Sequence, residues 1–405
     1  MLTGTSKANR RPVIVFLMLA MLLSGFANIA SAEKSDLEYQ GNDPCDYVDN
    51  LTFDMFSAND SITWQTDLGP RLPGSNASAV LRQSIMENLS QSWSFEESSH
   101  QRENFTLTNL VGTYSPTVSN GQNVVLVAHY DSRYMAERDS NESLRNLPID
   151  GANDGASGVA VLIEMGKIIP KLNLSHDVTL FFTDAEDQGA RGDADTWSYG
   201  ATAWVDNLTE SFQSNISAYI VIDMIGDEFL DFTKVDYTSD DLWDTVIPIT
   251  AALGMIESET DCDGNIGLPI FNPNITRGVI DDHIPAHNSG IPAINFIDIN
   301  YGEGVRSFEG YWHTHQDTAD KVTAESLGYI GHILELGLLS SAWLLHEVEV
   351  EGEINQENIT LNQFEIIENN EQITVEKSSL IGYLAILTVS IILIIILAAD
   401  ISLKL

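Results

Sequence analysis

Residues 123–131 read NVVLVAHYD, an unbroken apolar, β-branched run that ends abruptly on His129 and Asp131. Such a run fits a strand buried on both faces. Working outward, residues 157–169 place Val161, Leu162, Met165, Ile168 and Ile169 at helical spacing, and Pro170 stops the helix. Residues 178–182, 218–223 and 292–297 read as three more strands, and residues 242–253 and 325–347 as helices. Strands alternating with helices define an α/β chain. The pattern predicts a three-layer αβα arrangement around a mostly parallel sheet covered on both faces. No internal repeat is present.

The ends of the chain read differently. Lys7, Arg10 and Arg11 precede an apolar stretch over 13–26 and a small-residue cleavage site at Ala30-Ser31-Ala32, so residues 1–32 are expected to be a signal peptide. Residues 33–348 would form the catalytic domain. Residues 349–379, rich in Glu, Asn and Gln, read as an acidic stalk. Residues 380–399 are uncharged and rich in Ile and Leu. At about 1.5 Å per residue they are long enough for a transmembrane helix. Residues 400–405 would be a cytoplasmic tail. The expected location is the cell membrane, as a single-pass protein with its catalytic domain outside the cytoplasm. Eleven Asn-x-Ser/Thr sequons, from Asn50 to Asn358, agree with export and glycosylation.

Composition narrows the partners. With 59 Asp and Glu against 19 Lys and Arg, the formal charge is −40. Phosphate backbones would be repelled, so nucleic acid is excluded as a partner. The same charge suits salty surroundings, where screening shortens self-repulsion. The two cysteines, Cys45 and Cys262, are too few for a zinc finger. A disulfide and two separate thiols both fit the sequence.

The polar residues sit where a sheet of this kind forms sites, at the carboxyl ends of strands. His129 and Asp131 follow the first strand, Glu186 and Asp187 the second, and Asp223 ends the third. Asp154 lies in GANDGASG, whose glycines allow a tight turn before a helix. His313 lies in YWHTHQDT. Each signal alone has a plainer reading. His-x-Asp is commonly a capped turn, an acid at a helix start answers the dipole, and Asp281-Asp282-His283 fits a loop with a salt bridge. Trp197, Trp204 and Trp312 read as core residues. Taken together, nitrogen and oxygen donors from separate points suit zinc, with a carboxylate left over for proton transfer.

These residues carry a resemblance. VLVAHYDSRY, DGANDGASGVAVLIEM, FFTDAEDQG, VIDMIGD, DDHIPAHNSGIPAI and YWHTHQDT are similar to the ordered motifs of the zinc aminopeptidase and glutaminyl cyclase superfamily, over roughly residues 109–348. The resemblance implies a zinc-exopeptidase-like fold with a mixed sheet and one or two zinc ions. It implies Asp154, Asp187 and His313 as primary zinc ligands, and His129 and Asp223 as ligands of a second zinc where one binds. Glu186 would be the catalytic acid and base. Asp187 stands where many members carry Glu, so the backbone must come closer to the metal.

The resemblance leaves two reactions on peptide or protein N-termini. In an aminopeptidase, Glu186 would activate the water that attacks the first peptide bond. In a glutaminyl cyclase, it would move a proton from the α-amine to departing ammonia, with Asp282 in the network beside it. Asp-Asp-His-Ile-Pro at 281–285, TWSYGATAW at 196–204 and Trp312 before His313 resemble the cyclase branch, with Trp312 touching substrate. A ligand-depleted receptor ectodomain is a third reading, which the intact ligand set disfavours.

Overall fold

The structure is a computed structural model and describes residues 37–102 and 105–347. All of them belong to one compact unit. In chain order the elements are β1 (Leu37–Tyr39), α1 (Met55–Asp67), α2 (Asn76–Leu89), β2 (Ser94–Arg102), β3 (Phe105–Tyr114), β4 (Asn123–His129), α3 (Ala156–Ile168), β5 (Asp177–Thr183), α4 (Tyr199–Val205), α5 (Glu210–Asn215), β6 (Ile216–Asp223), β7 (Phe232–Val235), α6 (Asp240–Ala252), β8 (Phe271–Arg277), α7 (His283–Asn288), β9 (Ala293–Ile297), α8 (Ala324–Leu339) and β10 (Leu345–Glu347).

The central sheet has six strands in the order β2-β3-β5-β4-β6-β9. β5, β4, β6 and β9 run parallel, and β2 and β3 add an antiparallel edge. The sheet is therefore mixed, as expected. β4 shows why the run that opens the sequence reading is apolar throughout. Val124, Leu126 and Ala128 face one core with α1, α3 and α8, while Val125 and Val127 face the other with Trp204, Val205 and Ala286. Burying a side chain of this kind contributes about 1.5–3 kcal/mol. α3 is buried on every side but Lys167, because the sheet lies below it and α1 and α8 lie above. Gly158 makes that approach feasible. A Cβ there would meet the Ile222 carbonyl oxygen at 2.4 Å.

β4 leads through α3 to β5 on one side of it, and the chain then crosses to β6 on the other. This reversal opens a crevice at the carboxyl ends of β4, β5 and β6.

Several expectations change. The helix expected over 325–347 ends at Leu339. Ser340 caps it, Ser341 takes a positive φ of 59°, and β10 turns back to pair with β1. The sequence reading also missed the β2–β3 hairpin. The C-terminal transmembrane helix is corrected. Among the described residues no helix is long and apolar enough to cross a membrane. The longest, α8 with 16 residues, spans about 24 Å against about 30 Å of hydrocarbon. Residues 380–399, like the signal peptide, stalk and tail assigned to 1–32, 349–379 and 400–405, lie outside the described residues.

Cys45 and Cys262 form a disulfide with a Cα–Cα distance of 5.5 Å across 217 residues of sequence. It ties the turn before α1 to the loop after α6. Loop-closure entropy sets its contribution at about 5 kcal/mol at most.

Candidate active site

Three strand ends and two loops supply the site. His129 is the last residue of β4 and Asp223 the last of β6. Glu186 and Asp187 follow β5 in a turn held by Asp131. The Asp131 carboxylate accepts the backbone N–H groups of Glu186 and Asp187, both at 3.1 Å, and the Gln188 side-chain amide at 2.9 Å. Asp154 lies in the loop entering α3. Asp317 accepts its backbone N–H at 3.2 Å and that of Asn153 at 2.8 Å, and Tyr301 donates to Asp317 at 2.7 Å. Arg71, fully buried, clamps the start of the same loop through the carbonyls of Tyr130, Asp150 and Gly151. Gly155 has φ of +97°, and a Cβ there would meet the Asp131 carbonyl at 2.7 Å.

Backbone strain gathers here. Ala185, Ser198, Met224 and His313 all take positive φ, each beside or within the site. Such conformations cost about 1–3 kcal/mol each and persist where the surroundings impose them.

Five of the expected residues form two overlapping groups that share Asp154: Asp154, Asp187 and His313, and His129, Asp154 and Asp223. In each group the donor atoms lie within 4.8 Å of one another. The first group carries an unmet demand. Asp154 Oδ2, Asp187 Oδ2 and His313 Nε2 are buried without a hydrogen-bond partner. His313 Nε2 lies 3.1 Å from Asp187 Oδ1 and 3.5 Å from Asp154 Oδ2. Buried polar atoms are rarely left so. Two carboxylates and an imidazole with orphaned atoms suit a divalent cation, and this donor set suits zinc. In the second group, His129 Nδ1–H donates to the Asp131 carbonyl at 3.1 Å, and Nε2 bonds Asp223 Oδ1 at 3.0 Å.

The electrostatics agree. Burial, reinforced by neighbouring acids, pushes Asp187 and Asp223 up to about 6 and Asp281 and Asp282 up to about 7. Burial and then Asp281 drive Glu186 well above the usual carboxylate range. Burial opposes charge on His313, but Asp187 outweighs it and raises the imidazole to about 9. Such crowding of acids is what a bound cation relieves.

Trp312 stacks on His313 with ring centroids 3.6 Å apart, and Trp197 lies parallel to the same ring at 6.2 Å. Asp282 is fully buried and accepts a hydrogen bond from Thr183. Its neighbour Asp281 accepts Asn295 Nδ2 at 2.7 Å and lines a cavity together with Trp197 and Ser198. Sequence reasoning missed Asp281, Trp197 and Glu137. Glu137 accepts His313 Nδ1–H at 3.0 Å and Arg133 Nη2 at 2.8 Å. Its only local signal is the four-residue spacing from Arg133. His315 pairs with Asp139, and His287 packs on Tyr237.

Orphaned ligand atoms at the carboxyl edge of a doubly covered α/β sheet define a metal-dependent enzyme of the zinc-exopeptidase class. The chain belongs to peptidase family M28, which matches residues 109–336. It is similar to the glutaminyl-peptide cyclotransferase of Boiga dendrophila, 25% identical over 320 residues, covering 68% of this chain and 80% of that one. Among solved structures it resembles Tannerella forsythia glutaminyl cyclase (TM-score 0.61, 28% identity, 71% of this chain and 99% of that one). It also resembles a Zn-dependent exopeptidase from Parabacteroides distasonis (TM-score 0.62, 25% identity, 72% and 99%). It is an enzyme of the glutaminyl cyclase or aminopeptidase kind.

Proposed function

We propose that the chain is a glutaminyl-peptide cyclotransferase-like enzyme that closes N-terminal glutamine to pyroglutamate and releases ammonia. The observation that carries this reading is Trp312 stacked on His313 at 3.6 Å, a pair that resembles the cyclase branch, beside the donors Asp154, Asp187 and His313. Asp154 Oδ2, Asp187 Oδ2 and His313 Nε2, which lack hydrogen-bond partners, could hold one zinc. Bound there, it would supply a Lewis acid for the side-chain amide carbonyl.

The remaining work falls to the protein. Glu186 takes a proton from the α-amine as its nitrogen bonds to the side-chain carbonyl carbon. The carbon–nitrogen bond of the amide then breaks, and Glu186 returns the proton to the departing ammonia. Asp281, beside Glu186, steadies that proton. Trp312 and Trp197 flank His313 and keep water out, which matters because water at the same carbon would give glutamate.

A zinc aminopeptidase is the second reading. The convergence of His129, Asp154 and Asp223 favours it, since these three could hold a second ion. Glu186 would then deprotonate the attacking water. Metal counting on the purified protein separates the readings: one zinc per chain supports the cyclase and two the peptidase.

We also propose that the domain works outside the cytoplasm. The Cys45–Cys262 disulfide supports this, since such bonds persist in oxidising compartments. So do the sequons at Asn76, Asn88, Asn141, Asn173, Asn207 and Asn215, all exposed. Protease added to intact cells should digest the domain, and full protection would refute the placement.

A further inference from the structure

A cavity of about 360 Å³ lies beside the active site, in the cleft between α4 and α7. That volume lies within the range of binding pockets, about 300–1,000 Å³. It begins at Ser198, whose hydroxyl lies 3.4 Å from Glu186 Oε1, and at Asp281. Its first stretch is apolar, with Trp197, Ile280, Ile284 and Pro285. Ile280 is 49% exposed although it adjoins a buried acid. Farther out, the walls carry the exposed carboxylates of Asp195 and Asp206, and no basic residue lines any part of the cavity.

We propose that this cleft is the subsite for the substrate residues that follow the N-terminal one. It selects an apolar residue in second place and a cationic residue in third. An extended chain advances about 3.5 Å per residue. A peptide whose first residue sits at Glu186 therefore lays its second against Trp197 and Ile280 and its third between Asp195 and Asp206. Two exposed carboxylates on the α4 side of the cleft favour Lys or Arg there and repel Glu, and salt weakens both effects. The inference rests on the peptide N-terminus as substrate but not on which reaction follows.

The test compares kcat/KM for the amidated tripeptides Gln-Leu-Lys and Gln-Leu-Glu, read as ammonia, and Leu-Leu-Lys and Leu-Leu-Glu, read as free leucine. Whichever pair is turned over, the lysine peptide should be favoured about five-fold at low salt, mainly through KM. High salt should narrow the ratio. Asp195→Asn with Asp206→Asn should bring it near one, and Asp206→Lys should invert it. Glu87→Gln, on α2 on the opposite face of the sheet, controls for the overall negative charge and should leave the ratio unchanged. A ratio of one in the unaltered enzyme, or a ratio untouched by the double substitution, overturns the subsite. Absence of ammonia with release of leucine overturns the cyclase reading instead and leaves the subsite to be judged on the leucine pair.

Discussion

Glu137 Oε1 lies 3.0 Å from Nδ1 of His313, and the other ring nitrogen of that histidine faces Asp187 at 3.1 Å. The carboxylate engages Nδ1, so Nε2 is the ring nitrogen left to face a metal. Burial would raise the Glu137 carboxyl, but the His313 hydrogen bond and Arg133 outweigh it and hold it at about 2. Glu137→Gln should weaken zinc binding about 10–100-fold in chelator competition, with the circular dichroism spectrum unchanged. Unaltered affinity would show that His313 needs no such support.

Asp281 and Asp282 are adjacent but face different ways. Asp281 lines the substrate cavity, and Asp282 is tied to Thr183. Asp281→Asn should lower kcat about 100-fold with a small change in melting temperature. Asp282→Asn should chiefly lower the melting temperature. Equal losses of kcat in the two variants would count against this division.

His176 is buried with neither ring nitrogen bonded, and burial lowers it to about 4. The unfolded chain takes up the proton near pH 6.5, the folded protein only near pH 4. Its contribution to stability is therefore complete above about pH 6.5 and lost as the pH falls towards 4, up to about 3 kcal/mol. His176→Phe should gain on the unaltered protein over that window in urea titrations. A constant difference from pH 7 to pH 4 would exclude this histidine as the source.

Replacing both Cys45 and Cys262 with Ser should cost about 2–5 kcal/mol and lower the melting temperature. Activity at low temperature should survive, because the bond lies away from the ligand set.

The four parallel strands and the polar positions at their ends, His129, Glu186, Asp187 and Asp223, could be read directly from the sequence for one reason, whereas Asp154 and His313 lie in loops and are assigned by the family resemblance. Strands buried on both faces must be apolar throughout, so the first polar residue after each run marks a site. β2 hides because it is an edge strand, SFEESSHQR, largely solvated on both faces and without an apolar run. The end of α8 hides because residues 342–345 are apolar after the helix has stopped. Glu137 and Trp197 hide because their partner, His313, lies far along the chain. Glu137 meets His313 across 176 positions, a distance no local pattern encodes.

The most direct test of the proposed reaction is mass spectrometry on two peptides given to the zinc-loaded protein, one beginning with Gln and one with Leu. Cyclisation requires the first to lose the mass of ammonia, the second to stay intact, and Glu186→Gln to abolish the change. Free leucine from the second peptide, with the first left uncyclised, would make the enzyme an aminopeptidase.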